Sequence, residues 1–174
     1  TSMPSKDFPI PILQNSIKLT NEPPKGIRAN LARTYDEVTE EYYDSFEESE
    51  AFPECAKNLA FTKLLFGLSL FHAVIQERKK FGPLGWNIQY EFNASDLHVA
   101  KLWLQMFLKE SDKIPWDSLQ YVIGEIVYGG RVTDPWDRRC LINLLNQYFT
   151  NDILLSTYQF ADNVMYRIPH GGPK

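Results

Sequence analysis

Cysteine and histidine are scarce in this chain. Its 174 residues hold two cysteines, Cys55 and Cys140, and three histidines, His72, His98 and His170. The cysteines stand far apart and neither belongs to a C-x-x-C pair, so they read as two reduced thiols of a cytosolic protein. The histidines are spread along the chain, and no metal site follows from their spacing. No apolar run reads as long or pure enough for a signal peptide or a membrane span, because Lys63, Ser69 and His72 interrupt the best one. The expectation is therefore a cytoplasmic chain with no membrane partner. Glycine-rich phosphate loops are missing as well. No G-x-x-x-x-G-K-[ST] occurs, no strand leads into a G-x-G-x-x-G turn, and there is no G-x-S-x-G. Gly67 and the pair Gly82 and Gly85 come nearest, but no Lys-Ser or Lys-Thr follows either. There is no internal repeat and no low-complexity tract.

What is present belongs to a globular chain that needs no disulfide or metal to fold. The hydrophobic fraction is 44% and the charged fraction 23%, and a chain of this length buries roughly 68–70% of its unfolded surface. Aromatic residues make up 14%, which calls for a core built on large rings. The net charge of −4 conceals an asymmetry. Nine acids (Asp36, Glu37, Glu40, Glu41, Asp44, Glu47, Glu48, Glu50 and Glu54) fall between Thr34 and Ala56 without a single Lys or Arg, leaving 13 acids against 18 bases elsewhere. Such a stretch reads as a solvated face or connector, or else as a docking segment for a basic surface. Either way it repels polyanions, and a nucleic-acid partner is not expected.

Proline at positions 4, 9 and 11 makes the first twenty or so residues an extended arm, and Ile17-Lys18-Leu19 alternates like one short strand with no partner. Asn21-Glu22-Pro23-Pro24 opens a helix running past Tyr35, with Ile27, Leu31 and Tyr35 on its buried stripe and a possible extension to Phe46. The next helix, from Glu54 to about Phe81, is apolar nearly all round and belongs at the centre of a bundle. His72, at the margin of its polar stripe through Asn58, Thr62, Ser69 and Gln76, reads as a hydrogen-bonded structural histidine. Arg78, Lys79 and Lys80 suit the negative end of that helix, and Gly82-Pro83 stops it. A loop to Asn93, rich in large side chains (Trp86, Ile88, Tyr90, Phe92), is expected to pack back on the bundle. Ser95-Asp96 then signals a helix start, with Leu97, Ala100, Leu104, Phe107 and Leu108 as its stripe. Pro115 opens another helix with Leu119, Val122, Ile123 and Ile126 inward, and a last one carries Leu141, Leu144, Leu145 and Tyr148. The fold expected is mainly α: a helical bundle with an extended N-terminal arm and at most one short strand.

The stretch YGGRVTDPWDRR, Tyr128 to Arg139, is where chemistry and architecture compete. Two glycines and three arginines before a helix could cradle a phosphate. The structural reading assigns Gly129 to a left-handed helix end, Thr133 or Asp134 to the next N-cap, Pro135 to the first helical position and Asp137 to the dipole. Asp134 and Asp137 carry the wrong sign for an anion site at that helix end, so the turn reading is preferred. Arg131, Arg138 and Arg139 remain the candidate anion contacts, and a partner's carboxylate would serve them as well as a phosphate. No catalytic residue and no metal ligand is assigned.

Three segments, TNEPPKGIRANLARTY (20–35), FHAVIQERKKFGPLGWNIQYEFNASD (71–96) and GEIVYGGRVTDPWDRR (124–139), occur in an order that closely resembles the motor region of dynein heavy chains, most of all the axonemal ones. The likeness extends over roughly residues 8–168 and corresponds to the end of the sixth AAA+ module. It implies an arm left over from the large subdomain (1–22), a connecting helix with the acidic stretch (23–53), an AAA+ lid-type helical small subdomain (54–157) and the start of the C-terminal domain (158–174). It also implies a non-catalytic, mechanical role in a microtubule motor of the ciliary or flagellar axoneme. The module generally lacks working nucleotide motifs in this family. ATP and Mg are then cofactors of the parent motor rather than of this piece. Its partners are the rest of the ring, the first AAA+ module and the C-terminal domain, and microtubules only through the intact motor. AAA+ lids often place a sensor arginine near the position of Arg131, Arg138 and Arg139, and none of the three is assigned to it. The alternative is a helical protein-interaction adaptor without a nucleotide role, using the acidic stretch from Asp36 to Glu54.

Overall fold

A computed structural model describes residues 7–17, 19, 25–46, 51–161 and 167–168. Seven α-helices are present among them: α1 (Ile10–Asn15), α2 (Ile27–Asp36), α3 (Glu40–Tyr43), α4 (Lys57–Arg78), α5 (Ala94–Glu110), α6 (Trp116–Gln120) and α7 (Pro135–Tyr148). Pro4, Lys18, the helix-start signal at 21–24, the acids at 47–50 and the tail from 169 onward lie outside the described residues.

α4 is the axis. Ala60, Phe61, Leu64, Leu65, Leu68, Phe71 and Ile75 are all fully buried on it, and α2, α5 and α7 pack around it. A helix enclosed on most faces shows no clean polar face, which is why its sequence reads as apolar nearly all round. The expectation that no stretch here could match a membrane span is corrected. Lys57–Leu84 is long and apolar enough by length and composition, with 67% of its apolar stretch buried inside the protein. Its polar interruptions are absorbed locally: Ser69 Oγ donates to the Leu65 carbonyl one turn back, at 2.7 Å. Aromatic rings fill the ends of the core. Phe61 meets Phe46 and Tyr42 at 4.9 and 5.4 Å, and Phe71 meets Tyr128 edge-on at 5.3 Å.

Several sequence expectations change in place or phase. The arm is not wholly extended: α1 forms within it, with Pro11 in the first turn, where a missing N–H costs nothing. Ile17 and Leu19 are each 91% exposed and form no strand among the described residues. α2 stops at Asp36 instead of running to Phe46, and the acidic stretch restarts as the single turn α3, where Thr39 Oγ1 accepts from the Tyr42 N–H. The buried line of α2 is Asn30 and Thr34, flanked by the half-buried Ile27, Leu31 and Tyr35. Asn30 can sit inside because Glu77 of α4 accepts from its amide at 3.3 Å and from Gly26 N–H at 2.6 Å.

α4 ends at Arg78 and gives way to a 3-10 turn (Lys79–Leu84) in which Gly82 adopts φ 54°, a left-handed value that favours glycine. The loop that follows packs back as expected. Trp86 Nε1 donates to the Ile75 carbonyl at 3.2 Å, Gln76 Nε2 donates to the Phe92 carbonyl at 2.9 Å, and Trp86, Tyr90 and Phe92 are buried. Ile88 stays on the surface. Asn93, not Ser95 or Asp96, caps α5, in a reciprocal box with Asp96.

The largest change of phase follows α6. Tyr121–Tyr128 is a π-helix, whose hydrogen bonds reach the fifth residue back and whose turn is therefore wider. On an α-helix Leu119, Val122, Ile123 and Ile126 would share one face. Here the buried positions are Leu119, Ile123, Gly124 and Tyr128, and Ile126 is 55% exposed. The chain closes with α7, on which Leu141, Leu145 and Tyr148 are buried, and a 3-10 turn (Asn151–Leu154). Phe160 stacks on Tyr148 at 5.4 Å, and Gln159 and Arg167 form an isolated antiparallel bridge.

Candidate functional site

The turn joining the π-helix to α7 carries the three candidate arginines. Gly129 does not take the left-handed conformation the sequence suggests: its φ is −66°. Glycine is required there for space. A Cβ at Gly129 would lie 2.5 Å from the Gly124 carbonyl oxygen, inside any tolerable contact. A 3-10 turn, Gly129–Arg131, then leads to Asp134, the N-cap of α7. Asp134 Oδ1 accepts from the Trp136 and Asp137 N–H groups at 2.9 and 3.0 Å, and Pro135 takes the first helical position. Those hydrogen bonds, first among them the one from Asp137, hold the Asp134 carboxyl below its ordinary pKa.

Asp137 does more than face the helix dipole. It is buried, and its two oxygens accept from Asn87 N–H (2.9 Å) and Ile88 N–H (3.1 Å), which pins the aromatic loop to the start of α7. Backbone donors that an anion would need are thus already taken by the chain's own carboxylates.

The arginines divide three ways. Arg131 Nε donates to Asp96 Oδ1 at 2.7 Å, and that aspartate side chain is only 7% exposed. Arg138 donates to the Gly129 and Val132 carbonyls at 3.0 and 3.3 Å and lies 3.5 Å from Glu125. Arg139 is exposed and pairs with nothing among the described residues. The three do not converge on one point: Arg131 and Arg138 brace the turn with 45% of each side chain exposed, and Arg139 faces solvent.

Sequence reasoning missed the partners. Asp96 serves two ends at once, Oδ2 accepting from the Asn93 N–H of the α5 cap at 2.9 Å while Oδ1 holds Arg131. The Asn-x-x-Asp spacing of a capping box was the available signal for the first role, and nothing local signals the second. His72 is buried as expected, with Nδ1 3.0 Å from Tyr128 Oη. Burial, with the positive charge of Lys101 adding to it, lowers its pKa to about 4, so the ring is neutral at pH 7. Burial raises the Tyr128 pKa well above its usual value, and the Asp96 charge adds to this. The result is a polar seam tying α4, the π-helix, the turn and α5. Among the described residues no group of three or more His, Cys, Asp or Glu side chains could hold a metal ion.

Comparison with known proteins identifies the architecture. Residues 61–173 match the family described as the dynein heavy chain AAA lid domain. The chain is 49% identical over 169 residues to dynein axonemal heavy chain 6 of Homo sapiens, covering 97% of this chain and 4% of that protein. It is 51% identical over 172 residues to dynein axonemal heavy chain 3 of Homo sapiens, covering 99% of this chain and 4% of that protein. It is 48% identical over 174 residues to dynein axonemal heavy chain 12 of Mus musculus, covering 99% of this chain and 5% of that protein. The chain therefore spans about a twentieth or less of the length of these relatives. With the helical bundle, its central apolar helix and its closed inter-helix turn in place, the chain belongs to the dynein heavy chain AAA lid family.

Proposed function

We propose that this chain is a non-catalytic, mechanical part of a microtubule-based dynein motor: the lid of the sixth AAA+ module, passing conformational change around an ATPase ring. The observation that carries this reading is how the turn before α7 spends its polar groups. Asp134 and Asp137 occupy the backbone donors, and Arg131 and Arg138 are turned onto Asp96, Glu125 and main-chain carbonyls. Groups used this way fix one helix against another, which suits a part that must move as a rigid piece. The exposed apolar side chains of α1 and the residues after it (Ile10, Ile12, Leu13, Ile17 and Leu19) suit an arm that packs on further parts of a longer polypeptide.

On this reading residues 54–157 form the lid, 1–22 belong with the large subdomain of the same module, and 158–174 lead toward the C-terminal domain. The partners are the first AAA+ module and the C-terminal domain. ATP and Mg act in other modules, and microtubules are reached only through the intact motor, in the axoneme of a cilium or flagellum.

Calorimetric titration of the chain with Mg-ATP and with Mg-ADP tests this. No heat of binding is expected at millimolar nucleotide. Saturable binding, lost in Arg139→Ala or Arg131→Ala, overturns the non-catalytic reading.

A further inference from the structure

A cavity of about 180 Å³ lies between the α2–α3 connection and α5, lined by Glu37, Val38, Thr39, Tyr42, His98, Lys101 and Leu102. At about 30 Å³ per water molecule it has room for roughly six waters, or for one acidic side chain. Lys101 makes this cavity chemically distinct. The residue is only 8% exposed, yet its ammonium donates to no oxygen and forms no ion pair among the described residues. Its Nζ lies 5.9 Å from the centroid of the Tyr42 ring, and its charge is also felt at the neutral, buried His72. Tyr42 Oη is itself committed, donating to the Lys101 carbonyl at 2.8 Å. Burial lowers the Lys101 pKa, and the Glu37 carboxylate acts against that effect. Glu37 is shared with Arg33, whose Nε is 3.4 Å away.

Buried charges are ordinarily paired, and leaving one unpaired is costly. The uncompensated charge is a single positive one, and Glu37 lines the same space. With Glu37 shared with Arg33, the site carries one net positive charge, which a monoanion balances and a phosphate dianion exceeds. Apolar surface continues from the cavity along α5: Val99 and Leu102 are 41% and 48% exposed, and Trp103, 36% exposed, stacks on Phe107 at 5.6 Å. A free small anion has no use for that surface. A peptide does.

We propose that this cavity is a docking site for a peptide segment from outside these 174 residues, which inserts one Asp or Glu carboxylate toward the Lys101 ammonium and lays flanking aliphatic side chains on Leu102 and Trp103. The site stands apart from the α7 turn and does not depend on which module the lid serves.

The probes are two blocked tripeptides, acetyl-Leu-Glu-Leu-amide and acetyl-Leu-Gln-Leu-amide, with sodium acetate and inorganic phosphate as free anions. Each is titrated into the 174-residue chain while backbone amide and Lys101 side-chain resonances are followed by NMR. The glutamate peptide is expected to shift His98, Lys101 and Leu102 saturably, binding at least about fivefold tighter than the glutamine peptide and than acetate. Lys101→Met is expected to abolish that difference. Should that variant fail to fold, the glutamate–glutamine comparison on the unaltered chain still decides. Equal binding of the two peptides, acetate or phosphate binding as tightly as the peptide, or no shift at Lys101 overturns the proposal.

Discussion

The buried imidazole of His72 gives the bundle a stability that depends on pH in a calculable way. Its ordinary pKa of 6.5 falls to about 4 in the folded chain, first through burial and then through the charge of Lys101. The unfolded chain therefore binds a proton at this site between pH 6.5 and 4 that the folded chain refuses. Stability is fully present above pH 6.5 and is lost as pH falls through that window, with a slope of up to about 1.4 kcal/mol per pH unit. Integrated over the window, the loss is roughly 3 kcal/mol. His72→Gln removes the titration and keeps a polar group toward Tyr128. Urea unfolding of both proteins from pH 7 to pH 4 is the assay. All carboxylates titrate in both proteins, so they cancel in the difference. The stability difference should move by about 3 kcal/mol in favour of the variant as pH drops from 7 to 4. Parallel stability curves for the two proteins would refute the argument, because they would mean that His72 is not a neutral buried group.

Three further outcomes are expected. Leu65→Ala and Phe71→Ala, both at fully buried positions on α4, should cost about 2–5 kcal/mol each in denaturant unfolding; unchanged melting would mean that α4 is not enclosed. Gly129→Ala, whose Cβ would meet the Gly124 carbonyl at 2.5 Å, should destabilise by about 1–3 kcal/mol, and thermal melting would show it. Asp137→Ala removes the acceptor of two backbone N–H groups, so it should cost about 2–3 kcal/mol and speed hydrogen exchange at Asn87 and Ile88 above the global rate.

How much of this was legible in the sequence depends on the range of the forces involved. The helices and the central place of α4 follow from periodicity and from proline and glycine punctuation, which act over a few residues. The π-helix was not legible, because Tyr121-Val-Ile-Gly-Glu-Ile-Val-Tyr128 fits α periodicity equally well. The wider turn is seen only in the backbone of the folded chain, where Tyr128 packs against Phe71 and His72. Gly129 was correctly marked as special for a mistaken reason, since a close approach and a positive φ look the same in sequence. At the turn, the N-cap and N1 assignments rest on neighbours within three residues and could be read directly. The bond from Arg131 to Asp96 spans 35 residues and could not. Lys101 reads as a solvated helix lysine until α3 is seen to fold over it.

The enclosure of α4 has a consequence for the chain while it is being made. Helix Lys57–Arg78 passes for a membrane anchor until its neighbours cover it, and α7, the last of them, ends 70 residues after Arg78, at Tyr148. At about 5–20 residues per second of synthesis, that gap lasts roughly 4–14 s. During those seconds an apolar stretch of the nascent helix lacks part of the cover that it has in the folded chain. Substitutions that slow the docking of α5 and α7 would lengthen the time for which that apolar stretch stays uncovered.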